Sequence, residues 1–369
     1  MSHSIDISII SSGANLADAR LHRLTRALLR EGLTVEIFAP GDIKDAPGAI
    51  IRTPLLGSSW SNRSLLARYY RSRVFVLRSR GRVIYAISPE SVAPAFGFTK
   101  LLRKRLAVDF FEDYLRLLKD RAWAHKYFGI VGWIASSDTK SALWFSQRAD
   151  LTTVADVQVP PFDARNRLVV RNLPDASLLT KSGERSLTPR AIYIGDLRKS
   201  RGLQIMLEAA ALAEDWEFDL VGGVAPADQE FVNRWFADNP GSKSRVRFHG
   251  RLAPAQSWKM AEGAWVGLSL LESTPAFIEA VPSKLYEYMS VGVATISTPL
   301  PRCIEIIESS KSGAIAATSL EVATLLNHWK SHPQELDELR SNGLKWAAEN
   351  LDSEREYANF AAEMVKLTR

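Results

Sequence analysis

Three observations predict two doubly wound α/β domains: a length of 369 residues, a strand–loop–helix–strand pattern that recurs in both halves, and a polar stretch between the halves. The opening IDISII is a β-branched run, and SSGANLAD after it reads as a loop. Leu21, Leu24, Leu28 and Leu29 then recur at helical spacing before Gly32 stops the helix, and TVEIFAP is the next strand. RVIYAIS and RLAVDFF continue the series in the first half; AIYIGDL, FDLVGG, RVRFHG, VGLSLL and VATIST form it in the second. The stretch VVRNLPDASLLTKSGERSLTPRA separates the two series. The expected division is residues 1–170, then 171–350, with a helix over 351–369 that is long enough to cross back to the first domain, a step expected by fold analogy alone.

Composition narrows the class. With 46% hydrophobic and 24% charged residues the chain can build cores, which excludes a disordered or fibrous protein. One cysteine, Cys303, excludes an internal disulfide and a multi-cysteine zinc site, and a reducing cytoplasm is expected. No apolar run approaches the ~18 residues of a membrane span, so neither export nor a spanning helix is expected. The net charge of +6 is unevenly placed: residues 1–170 hold 25 basic and 15 acidic residues, and the remainder 22 and 26. A basic first half facing an acidic second half predicts an anionic partner for the first.

The segment IEAVPSKLYEYMSVGVATISTP holds the most chemistry. Pro282 and Ser283 start a helix that Gly292 ends, and Lys284 and Glu287 share one of its faces, with Ser283 expected to cap it. A helix N-terminus with a lysine beside it suits a diphosphate. Glu279 lies eight positions before Glu287, so one carboxylate can address a sugar while the other holds ribose hydroxyls. The plainer reading is a surface helix with one Lys–Glu pair.

With Pro282, Ser283, Lys284, Leu285, Glu287, Tyr288 and Met289 in that order, this segment resembles the retaining GT-B glycosyltransferases of family 4, the glycosyl transferases group 1. The resemblance implies a GT-B fold of two Rossmann-like domains facing a cleft. RAIYIGDLRKSRGLQIMLEA is similar to the family's first C-terminal strand, loop and helix, which assigns Gly195 to the turn and Arg201 with Gly202 to the donor diphosphate. By the same resemblance Gly222 and Gly223 lie near the nucleotide, and His249, Gly250 and Arg251 near the base. Asp196 stands where many relatives carry an arginine, so Arg198 or Lys199 is expected to supply the charge. In the first half Asp18 and Arg20 match an Asp-x-Arg after the first loop; VDFFEDY supplies Asp109, Glu112, Asp113 and Tyr114, with Phe111 where relatives carry histidine.

Glycosyl transfer develops negative charge on the leaving diphosphate and positive charge on the sugar ring. Arg201 and Lys284, on two different loops, are expected to clamp the first and Glu279 to stabilise the second; these are the candidate catalytic residues. Gly195, Arg198, Gly202, Gly222, Gly223, His249, Gly250, Arg251, Ser283 and Glu287 are the donor-binding candidates, and Gly13, Asp18, Arg20, Glu112 and Asp113 the acceptor-side ones. No Asp-x-Asp pair is present and no histidine set is expected to ligate a metal, so no metal or other cofactor is expected; the donor is a nucleotide-sugar, UDP being favoured on frequency. The acceptor is expected to be a sugar or lipid-linked glycan precursor of the cell envelope or an exopolysaccharide. The rivals are a nucleotide-sugar epimerase of the same fold and a non-catalytic nucleotide-sugar-binding subunit.

Between Trp60 and Arg82 lie seven arginines and no acid, with Leu66, Tyr69 or Tyr70, Val74 and Leu77 at helical spacing. This basic amphipathic segment, Arg63 to Arg82, is expected either to lie on an anionic membrane surface, giving a cytoplasmic protein peripheral to the plasma membrane, or to be a domain helix with a solvated face. It is joined to no recognisable RNA or DNA module, which argues against nucleic acid.

Overall fold

The computed structural model describes residues 4–13, 16, 18–41, 47–52, 65–119, 124, 129–174 and 179–369. The chain divides into two compact units, residues up to Asn172 together with Glu354–Arg369, and Leu173–Ser353. Each is a parallel sheet with helices on both faces. Among the described residues no helix is long and apolar enough to cross a membrane.

The first unit contains β1 (Ile7–Ile10), α1 (Ala19–Arg30), β2 (Val35–Phe38), β3 (Ile50–Ile51), α2 (Leu65–Arg78), β4 (Val83–Ala86), α3 (Pro89–Leu102), β5 (Arg105–Phe110), α4 (Tyr114–Lys119), α5 (Ile130–Ser146), β6 (Leu151–Val154) and β7 (Arg167–Val169). The sheet order is β3-β2-β1-β4-β5-β6-β7, with Ile7 opposite both Val35 and Val83. Alternation along β1 serves two cores: Ile7 and Ile9 meet Leu21, Leu24 and Leu28 of α1, while Ile10 meets Phe75, Val76, Val92 and Ala142 of α2, α3 and α5. The strand β6 escapes a reading by apolar runs because its centre is Thr152 and Thr153, both fully buried. Thr152 donates to the Ser146 carbonyl (2.7 Å) and Thr153 to Asp109 (2.6 Å), which satisfies the hydroxyls in the core.

Helix α2 is turned differently from the face its spacing suggests. Its inner face is Ala67, Arg71, Ser72, Phe75 and Val76, whereas Tyr70 and Leu77 point to solvent. Arg68 pairs with Glu90 (2.7 Å), and the buried Arg71 donates to the Ser12 carbonyl (3.3 Å). Two of the arginines expected on a membrane-facing surface are thus spent inside the unit, and Trp60 and Arg63 lie outside the described residues.

The second unit contains β8 (Arg190–Ile194), α6 (Leu203–Leu212), β9 (Glu217–Val221), α7 (Gln229–Asp238), β10 (Val246–Gly250), α8 (Pro254–Lys259), β11 (Val266–Ser269), α9 (Ser283–Val291), β12 (Ala294–Ser297), α10 (Pro301–Ser310), β13 (Gly313–Ile315), α11 (Ser319–Ser331) and α12 (Pro333–Asn350). Its strand order β10-β9-β8-β11-β12-β13 reverses between β8 and β11, the switch point at which open α/β sheets bind their ligands. The last helix, α13 (Ser353–Thr368), belongs to the first unit: Tyr357, Phe360, Ala361 and Met364 pack into the core of β1 and α1, and Arg171 pairs with Glu356 at 2.8 Å.

Gly202 lets the chain after β8 pass close to the end of β11. Its φ is +84°, and a Cβ there would lie 2.2 Å from the Leu270 carbonyl oxygen. Gly202→Ala is therefore expected to cost about 2 kcal/mol or more in chemical denaturation. Gly241→Ala, where a Cβ meets nothing within 4 Å, should shift stability by no more than ~0.5 kcal/mol.

Candidate functional site

In the second unit the loops after β8 and β11 touch: Glu272 N–H donates to the Ser200 carbonyl at 3.0 Å, one residue from Arg201. Residues Lys199–Arg201 form a single 3₁₀ turn ending in Gly202. The Arg201 charge acts on the Tyr193 phenol, which donates to the Asp196 carbonyl at 3.0 Å. Burial pushes the Tyr193 phenol up, against the opposing charge of Arg201. Three buried polar atoms on these two loops make no hydrogen bond: Nε of Arg198, Nε of Arg201 and Oγ1 of Thr274. Unsatisfied donors on the two loops of a topological switch point fit a polar or anionic ligand.

The glycines explain how backbone comes close here. Gly222 donates to the Gly250 carbonyl (2.8 Å), and a Cβ on it would lie 1.8 Å from the Gly195 carbonyl oxygen. Gly195, Gly222 and Gly250 therefore form one tight corner, with the Gly223 carbonyl accepting from Leu197 N–H at 3.0 Å. Asp196 pairs with both Arg198 (3.1 Å) and Arg251 (2.9 Å), so the charge expected from Arg198 is neutralised in place. His249 turns to the buried Asp219 (2.7 Å), which Arg190 and Arg247 also hold. Burial would raise the Asp219 pKa, but the hydrogen bonds from His249 and Arg190 and the Arg247 charge keep it below the usual carboxylate value.

Helix α9 corrects two expectations. Its N-cap is Pro282, with no side-chain cap, and Ser283 is the first helical residue. Lys284 stands in the first helical turn, not on a loop, and its ammonium lies 2.5 Å from Glu287 and 5.3 Å above the Trp258 ring. The helix still presents first-turn N–H groups without intrahelical partners. Glu279 is half-buried in the turn that leads into α9.

The first unit holds a cavity of about 430 Å³ at the carboxyl ends of β1, β4 and β5. Gly13, Asp18 and Glu112 line it, with Phe111 where a histidine would stand. Arg20 does not: it lies buried against Asp109, with N–O distances of 2.7 and 2.8 Å, and donates to the Val170 carbonyl. Asp113 caps α4, accepting from Leu115 and Arg116 N–H at 3.1 Å. Tyr114 of the same segment also lines it, and the structure adds Glu90, Arg68, Tyr69 and Asp138 to the cavity wall. Glu90 accepts from Ser12 (2.7 Å) as well as Arg68. The signal for Asp138 is that it is the sole acid of α5.

Burial pushes the Asp138 carboxyl up to about 6, the Tyr69 hydrogen bond opposing and the Glu90 charge adding. A folded-state pKa above the unfolded value gives stabilisation that is complete below about 4 and is lost as pH rises through 6. Asp138→Asn should remove that slope, becoming more stable than the parent above pH 7 by roughly 1–2 kcal/mol once solvent screening of a half-buried group is allowed for. Denaturation midpoints at pH 5 and pH 8 check it.

The expected lack of a histidine ligand set meets one exception on the surface. His328 and His332 are four residues apart, their rings stack at 4.3 Å, and His328 lies 2.7 Å from Glu335. All three are exposed.

Residues 178–346 match the family model described as glycosyl transferases group 1. No curated protein sequence matches the chain. Among solved structures it is similar to sucrose-phosphate synthase from Thermosynechococcus elongatus, at 15% identity and a TM-score of 0.75 over 98% of this chain and 99% of that one. It is also similar to HepE from Anabaena in complex with UDP-glucose, at 16% and 0.71 over 98% and 99%. A third is WaaG, a glycosyltransferase involved in lipopolysaccharide biosynthesis, at 12% and 0.65 over 97% and 99%. The fold is that of the GT-B glycosyltransferases. The matched residues lie within the second unit and make up most of it.

Proposed function

We propose that this protein transfers a sugar from a UDP-sugar, with retention of anomeric configuration, to a sugar acceptor held in the cavity of the first unit. The observation that carries this reading is the pair of touching loops whose buried Arg198, Arg201 and Thr274 atoms lack partners, the second of which leads into α9. Arg201 and the first N–H groups of α9 would stabilise the leaving diphosphate, and Glu279 the developing positive charge on the sugar. Because Glu287 already neutralises Lys284, Arg201 is given the larger share of the charge stabilisation. UDP is favoured by the nucleotide bound to HepE. Retention is taken over from the family-4 resemblance. We read the reaction as metal-independent, since the diphosphate clamp is made of cationic side chains and helix N–H groups. The acceptor is read as a cell-envelope or exopolysaccharide glycan, in line with the involvement of WaaG in lipopolysaccharide biosynthesis, and the site of action as the cytoplasm.

A calorimetric panel of UDP, GDP, ADP and their glucose conjugates tests the donor. UDP is expected to bind and to raise the melting temperature, the stabilisation at a hundredfold excess over Kd being about 2.7 kcal/mol. A chain that binds none of the nucleotides would remove the reading.

A further inference from the structure

Helix α5 carries two opposed faces. Ile130, Trp133, Ile134 and Trp144 point to solvent, with Trp133 72% exposed and Trp144 50%. Their spacing of three, one and ten residues sets all four on one stripe of the helix. Toward the other side Asp138 and Thr139 line the first-unit cavity, and Ala135 and Ala142 are buried. The exposed stripe is flanked by cations: Lys140 is exposed, and the Arg148 guanidinium lies 3.8 Å over the Trp144 ring. The neighbouring helix α3, whose Phe96 ring is 4.7 Å from Phe145, adds the exposed Leu101 and Leu102 beside Lys100 and Arg103. The acids of these two helices are Glu90, which is buried, and Asp138, which is on the cavity wall, so the outer surface they share carries none.

We propose that the α5 stripe, with the end of α3, is a docking surface for an anionic lipid bilayer. Tryptophan and isoleucine at the boundary of apolar and wet phases, bordered by lysine and arginine, match the interfacial region of a membrane, whose anionic headgroups complement the cations. A second copy of the chain fits poorly, because a two-fold contact would set Lys140, Arg148, Lys100 and Arg103 against their own counterparts. The surface differs from the α2 segment that the arginine count singles out, since Arg68 and Arg71 there face inward. The same helix walls the cavity, so docking would hold that cavity about one helix diameter, ~10 Å, from the headgroups. It thereby names the acceptor as a glycan carried on a lipid. That last step rests on the proposed function; the docking itself does not.

Flotation of the full chain with vesicles of phosphatidylcholine alone and of phosphatidylcholine with 30% phosphatidylglycerol tests it. Binding is expected to the anionic vesicles and to weaken as salt rises. The Trp133→Ser/Trp144→Ser double variant should bind at least tenfold more weakly with an unchanged melting temperature, and Lys140→Gln/Arg148→Gln should flatten the salt dependence. Arg73→Gln/Arg78→Gln on α2 should leave binding within about twofold. Failure of the parent to float, or equal flotation of the tryptophan variant, overturns the proposal. So does a concentration-dependent dimer that the tryptophan variant abolishes, which would assign the surface to a second copy. The assay reads no turnover, so failure of nucleotide binding with flotation intact would refute the proposed function and leave the docking surface standing.

Discussion

Arg201→Ala is expected to lower kcat/KM for the nucleotide-sugar by about 10²–10³-fold, the loss typical of removing one preorganised group that meets developing negative charge. Its melting temperature should stay within a few degrees of the parent's, because Nε of Arg201 makes no hydrogen bond in the folded chain. The comparison with Arg198→Ala sharpens the test. Arg198 sits a turn away and is paired with Asp196, so its loss should cost no more than about tenfold. Steady-state kinetics of both variants decide the matter: equal losses would mean that the loop as a whole, and not the Arg201 guanidinium, meets the diphosphate.

The second large effect concerns stability. Asp109→Ala leaves the Arg20 guanidinium buried beside Val170 with its bidentate partner gone, a cost of about 3–5 kcal/mol for the first unit. Burial would pull the Arg20 pKa down, and the adjacent Asp109 charge more than reverses that. The double variant Arg20→Met/Asp109→Leu should recover part of the loss, since it leaves no buried charge, while Thr153, losing Asp109, keeps the Val108 carbonyl at 3.2 Å as acceptor. Urea midpoints of the parent, single and double variants measure this. A single variant as stable as the parent would show that Arg20 reaches water.

The strands with β-branched runs, such as IDISII and VATIST, are legible in the sequence because burial on both faces of a parallel sheet demands such runs. So is the segment from Pro282 to Met289, whose motif is contiguous. Strand β6 is not, because its buried threonines satisfy their hydroxyls through partners distant in the chain. The face of α2 is misread for a related reason: the buried Arg71 takes a place that periodicity reserves for an apolar residue. The cavity of the first unit is the least legible feature, since Glu90 and Asp138 are 48 positions apart and meet only through packing of α3 on α5. Asp109 and Arg20 show the converse, polar residues read toward function that the fold spends on its own interior.

The placement of α13 has a consequence for the order in which the protein is made. Strand β1 is made before the second unit, yet Phe360 and Met364, which fill the core of the first unit beside Tyr85 and Ile7, are made after it. At about 5–20 residues per second, a ribosome needs some ten seconds or more to add the intervening second unit. Throughout that interval the first unit has an open apolar trough where α13 will lie, so it is completed only after the second unit has been made. Vectorial synthesis thus couples the two halves in time: the second unit has a complete chain to fold while the first waits for its closing helix.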